Sequence, residues 1–131
     1  MIRDLGQLLA QMEPVLNPGA YAFVLAPVEV QVPADRIVAS VREPEGLTLV
    51  IPESLAQALG LPVAYACAWI TLTVHSDLEA VGLTAAFSGA LGEAGISCNV
   101  IAGVHHDHLF VPIAQARQAM DALARLQASA R

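Results

Sequence analysis

Four histidines and the acids among them are the groups in this chain with the most chemistry to offer. His105, His106 and His108 surround Asp107, and His75 heads the run His75-Ser76-Asp77. Imidazoles at alternate strand positions share a face, so His106 and His108, approached by His75, could supply nitrogen ligands to a divalent metal. No HExxH or CxxC partner accompanies them. A hairpin turn with solvated or locally bonded rings is the commoner outcome, and metal held by His105, His106 and His108 is kept as the alternative. The Asp107 carboxylate could pair with the amino group of a ligand, or satisfy its own backbone in a turn.

The other polar residues suggest no nucleophile. Ser76, Thr84, Ser88 and Asn99 lack a GxSxG elbow, so they read as a cap, two helix-face hydroxyls and an edge-strand amide. Asp77 and Glu79 read as carboxylates at a helix start, and Trp69 as core or interface packing. Phosphate-cradling glycine loops are absent. Cys67 and Cys98 have no CxxC spacing and read as small buried thiols of a reducing compartment.

The bulk composition narrows the class further. With 56% hydrophobic and 14% charged residues, the 131-residue chain must bury much apolar surface, partly at a homo-oligomeric interface. A net charge of −6, with no lysine and no basic run, argues against binding nucleic acid. The first residues, MIRDLGQLLAQMEP, interrupt their apolar positions with acids and do not read as a signal peptide, so a cytoplasmic location is expected. Residues 54–74 are uncharged and long enough to span a bilayer, but Gly60-Leu61-Pro62 breaks them and period-two alternation follows. That pattern predicts helix, turn and strand, with no membrane span.

The elements that must position the histidines follow from the same periodicities. Leu5, Leu8, Leu9 and Met12 mark one face of a helix that Glu13-Pro14 ends. Strands are expected at 21–25, 37–42 and 47–51, the last two as a hairpin around Glu43-Pro44-Glu45-Gly46. A short helix from Pro52 stops at Gly60, and a long strand then runs to His75, with Ile70, Leu72 and Val74 facing the core. Leu83, Phe87, Leu91 and Ala94 define a helix over about 81–94, preceded by a loop at 76–80 and ended by Gly95. Strands at 96–102 and 108–111 flank the turn 103–106, and Ile113, Ala116, Met120 and Leu123 mark a last helix. The C-terminal half is thus one strand short of a split βαββαβ unit, and the missing edge strand has to come from elsewhere.

The run Val81-Gly82-Leu83-Thr84-Ala85-Ala86-Phe87 through Leu91-Gly92-Glu93-Ala94-Gly95-Ile96 resembles the ACT-domain pattern PGxLaxxxxxLaxaGI, with Val81 where that pattern usually has proline. The stretch from Trp69 to Pro112, with GLTLVIP at 46–52, is similar to small bacterial ACT-like proteins of undetermined function. The likeness covers about residues 21–126, and cytosolic arginine sensors built from tandem ACT units look similar at the loop before the helix.

The resemblance implies an α+β, ferredoxin-like βαββαβ fold, an ACT-type antiparallel sheet with helices on one face. Two ACT-like halves sharing strands are expected: a degenerate N-terminal half, 1–62, and a C-terminal ACT domain, 63–131. It further implies a regulatory or sensor protein with no catalytic activity and no cofactor. The expected ligand is a small molecule, usually an amino acid, held where two ACT units meet, with a homodimer as the assembly. The ligand-binding positions carried over are His75, Ser76, Asp77, Val81, Gly82 and Leu83, with Asp107 added for the ligand's amino group. Exposed N–H groups at a helix N-terminus favour a carboxylate, and a glycine lets it approach closely. The alternatives are a ligand-free interaction module, whose excess apolar surface serves self-association or a partner protein, and a histidine-dependent metal enzyme.

Overall fold

Asp4 begins the ordered architecture by capping helix α1 (Leu5–Ala10): its Oδ2 accepts the Gln7 N–H at 3.0 Å. The computed structural model describes residues 1–131. After α1 the chain turns at Glu13, a non-glycine residue at φ +41°, into the short strand β1 (Pro14–Leu16). There follow β2 (Tyr21–Ala26), β3 (Ala39–Glu43), β4 (Gly46–Pro52), α2 (Glu53–Ala58) and β5 (Tyr65–Leu72). The remainder is α3 (Leu83–Glu93), β6 (Asn99–Ala102), β7 (Asp107–Pro112) and α4 (Ala116–Ser129). No helix is long and apolar enough to cross a membrane.

The chain divides into two compact units, residues 18–68 and residues 1–17 with 69–131. In the first, the strand order is β3-β4-β2-β5, with antiparallel pairing from β3 to β4, from β4 to β2, and from β2 to the opening residues of β5. Ala22 and Val24 alternate inward from β2 and meet Leu49, Ile51, Ala56 and Leu61 in the core. Where a βαββαβ unit has its first helix, this unit has only the turn Ala34–Arg36, and Val30, Val32 and Ile37 pack on the core instead.

In the second unit β5 contributes its later residues, flanked by β1 on one side and β7 on the other, with β6 beyond β7. β1 pairs antiparallel with β5, Pro14 opposite Leu72 and Leu16 opposite Ile70. The edge strand missing from the C-terminal half therefore comes from the first residues of the chain. Ile70, Leu72 and Val74 are the buried set, as their alternation predicted, and Leu83, Phe87 and Leu91 bury the face of α3.

α3 starts at Leu83 because Gly82, at φ +103°, turns the chain into it, and residues 76–80 remain a loop. It ends in a Schellman motif: Gly95, at φ +74°, donates to Gly92 O, and Ile96 donates to Leu91 O at 2.9 Å. α4 departs from expectation in its phase. Its buried residues are Ala119, Ala122, Leu123 and Gln127, whereas Ile113 lies exposed in a preceding turn. α3 and α4 pack together, and the alanines let them do so.

Candidate functional site

Past Leu72, β5 gives way to the 73–82 loop, which carries most of the expected ligand positions. Its backbone is already paired: Ile2 N–H donates to His75 O at 3.1 Å, and Asp77 N–H to Ile2 O at 3.0 Å. Ser76 N–H donates to His105 O at 3.2 Å. Asp77 closes a turn by accepting the Glu79 N–H on Oδ1 at 2.8 Å, which replaces any capping box from Ser76. Its other oxygen, Oδ2, takes the Arg3 Nε–H at 2.7 Å, and Arg3 Nη2 reaches Glu79 at 2.9 Å. The Glu79 N–H, then Arg3, hold the Asp77 carboxyl below its ordinary range, and Asp77 in turn raises the Arg3 guanidinium.

The remaining loop positions diverge. Val81 is 83% exposed, whereas Leu83 is buried in the core. Gly82 faces α1: its φ requires glycine, and a Cβ placed there would meet the end of the Leu5 side chain at 3.0 Å.

Across from the loop, Gly103 N–H donates to His106 O at 2.8 Å and closes the 103–106 turn. The His75 ring lies 5.3 Å from His105 and, edge-on, 5.0 Å from His106, so one histidine from β5's extension meets two from the turn. His106 Nδ1 is 3.2 Å from Val74 O; a carbonyl can only accept, so Nδ1 carries the proton.

His108 is engaged differently. Trp69 Nε1–H donates to its Nδ1 at 3.1 Å, with the Thr71 hydroxyl 3.3 Å from the same nitrogen. That nitrogen must carry a lone pair, which defines the neutral Nε2–H tautomer. Burial, then His106, lowers the His108 pKa, against an opposing pull from Asp107. Asp107, 8% exposed, has its carboxyl raised by the same desolvation.

The metal alternative does not assemble. His108 is committed to Trp69 and Thr71, and no group of three or more His, Cys, Asp or Glu side chains is placed to hold a metal ion. Cys67 and Cys98 are free, and burial pushes each thiol up to about 11, which keeps it protonated and unreactive.

An open groove of about 520 Å³ adjoins His75 and is lined by Ile2, Ala10, Gln11, Glu13, Thr73, Val74 and Arg131. Glu13 Oε1 accepts from buried Gln127 at 2.7 Å and from Arg131 at 2.8 Å, while Thr73 Oγ1 donates to Glu13 O at 2.9 Å. Of the expected ligand positions only His75 lines this groove. Arg3, Glu13, Thr73 and Arg131 escape sequence reading because their partners lie 60 to 118 residues away. No local spacing signals such a contact.

Residues 2–68 match one family model described as an ACT domain, and residues 65–125 match a second with the same description. No curated protein matches the chain. Among solved structures it is similar to a Vibrio cholerae protein of unknown function, described as a possible transport protein. That likeness has 47% identity, covers 94% of this chain and 95% of the other, and has a TM-score of 0.80. A protein from Agrobacterium tumefaciens is 18% identical over 87% of each chain, with a TM-score of 0.65. The ligand-free regulatory subunit of aspartate kinase from Thermus thermophilus is 10% identical, with 86% of this chain and 95% of that one covered and a TM-score of 0.60. At the last two identities the likeness is one of fold. With a family match over each half of its length, the chain belongs to the ACT domain family, whose ferredoxin-like modules serve as ligand-binding regulatory domains.

Proposed function

We propose that this protein is a cytoplasmic, homodimeric regulatory or sensor protein that binds an amino acid and has no catalytic activity of its own. Its ACT units are assigned along the chain to residues 1–62 and 63–131, with residues 1–17 folding into the second and completing its sheet, and it uses neither cofactor nor nucleic acid. The ligand positions are His75, Ser76, Asp77, Val81, Gly82, Leu83 and Asp107, with Leu83 contributing backbone only.

The observation that supports this reading best is the meeting of the 75–77 loop and the 105–106 turn at His75, beside a groove carrying Glu13 and Arg131. Opposite charges at one groove suit a zwitterion, whose carboxylate and ammonium need partners of both signs. Binding acts by population shift, the ligand stabilising one arrangement of the subunits over another.

Thermal-shift and equilibrium-dialysis measurements with the standard L-amino acids test it. At least one should raise the Tm of the wild-type protein and lose that effect in His75→Ala. If none binds either form, the amino-acid reading fails.

A second reading, an interaction module without a ligand, is favoured by one feature. Leu78 and Val81 are large apolar side chains exposed on the very loop at issue. Leu78→Asp leaves amino-acid binding largely intact on the first reading, since Leu78 is not among the ligand positions, and abolishes self-association on the second.

A further inference from the structure

Ile2, Arg3 and Leu5 all reach one loop, while Asp4 between them caps α1. Ile2 pairs with the 75–77 backbone as a parallel bridge, using both its N–H and its C=O. Arg3 spans the Asp77 and Glu79 carboxylates. Leu5 closes over Gly82, the glycine that starts α3. Every polar group these residues satisfy on the loop is one that a ligand approaching it would need: a carbonyl at His75, an N–H at Asp77 and two carboxylates.

We propose that Ile2–Leu5 is a displaceable strap that holds the 75–82 loop closed and must be released before the loop engages anything else. Its fastening suits release. The bridge is a single residue long, and Arg3 is 63% and Glu79 78% exposed against 23% for Asp77, so salt screens the Glu79 pair fully and the Asp77 pair in part. Leu5 itself is one third exposed, in contrast with Leu8 and Met12, which anchor the same stretch of chain in the core. Peeling can therefore stop within the first turn of α1, at the cost of the Asp4 cap, without unfolding the unit. The strap rests on the proposed function only for what it blocks; its existence is a separate matter.

Two neighbouring amides separate the strap from general loosening. Asp77 N–H is bonded to Ile2 O, whereas Ser76 N–H is bonded to His105 O and does not depend on the strap. Hydrogen exchange followed by NMR on the full chain should show the Asp77 amide exchanging at least tenfold faster in Arg3→Glu, with Ser76 and the β5 amides unchanged. In the wild type, added sodium chloride should quicken Asp77 alone, and in Arg3→Ala that salt effect should disappear. The proposal is overturned if Asp77 exchange is unchanged by both substitutions, or if Ser76 accelerates equally, which is the signature of the whole loop loosening. Repeating the amino-acid screen on Arg3→Glu keeps the two ideas apart. Tighter binding than wild type supports both, and absence of binding with fast Asp77 exchange removes the ligand while the strap stands.

Discussion

The bond from Trp69 Nε1–H to His108 Nδ1 exists only while that nitrogen keeps its lone pair. His108's pKa is lowered from its ordinary 6.5, so the unfolded chain takes up the proton first as pH falls. Stability fully present above about pH 6.5 is then lost as pH drops towards the folded pKa. Asp107 works in the opposite sense: its raised carboxyl favours the folded state below 3.8, and that contribution is lost as pH rises through its folded pKa. Of the two groups, the histidine is the one whose ordinary pKa, 6.5, lies between pH 7 and 5.5. The Tm should fall across that interval and the fluorescence of Trp69, the one tryptophan, should titrate with a midpoint below 6.5. His108→Asn, whose amide oxygen can still accept the indole N–H, should flatten both; an unchanged titration in that variant would contradict the assignment. The placement of Trp69 and Thr71 on one face of β5, opposite Ile70 and Leu72, was legible from alternation alone. Their partner was not, because which residue of a neighbouring strand stands opposite depends on a register that no local pattern encodes.

Helix α3 carries glycines in opposite conformational settings, which makes it a test of backbone against packing. Gly95 sits at φ +74° with open space where a Cβ would be, so Gly95→Ala costs conformational strain alone, roughly 1–2 kcal/mol. Gly89 lies in the exposed helix interior, again with no neighbour within 4 Å, and Gly89→Ala should stabilise by about 0.5–1 kcal/mol. Urea unfolding of the two variants should move the midpoint in opposite directions; a common direction would mean that α3 does not end in the Schellman motif. The C-terminal end of this helix was legible, since a glycine after an apolar repeat carries its own mechanism, whereas the start, expected at about 81, falls at Leu83, after Gly82. Two other elements were harder. β1 is three residues of Pro-Val-Leu with no alternation to identify it, and pairing with β5 is what makes it a strand. The helix that the 18–68 unit lacks was equally silent, because Val30, Val32 and Ile37 carry no helical period yet still pack against the unit's core.

Twelve acids against six arginines leave the molecule strongly negative, and two copies approaching each other repel. The same chain exposes Leu78, Val81 and Val104, all apolar and all on loops beside the expected ligand positions. The proposed self-association therefore sets a salt-insensitive attraction against a salt-screened repulsion, so added salt should strengthen such a dimer. The Arg3 pairs respond in the opposite way, weakening as the ionic strength rises. Sedimentation equilibrium at low and high sodium chloride should thus show tighter dimers at high salt. Arg3→Glu, which adds negative charge, should dimerise less than the wild type at low salt and converge with it at high salt. A chain that stays monomeric at every salt concentration would remove the dimer from the proposed function. One that dissociates as salt rises would place charge pairs, rather than the exposed apolar loops, at the interface.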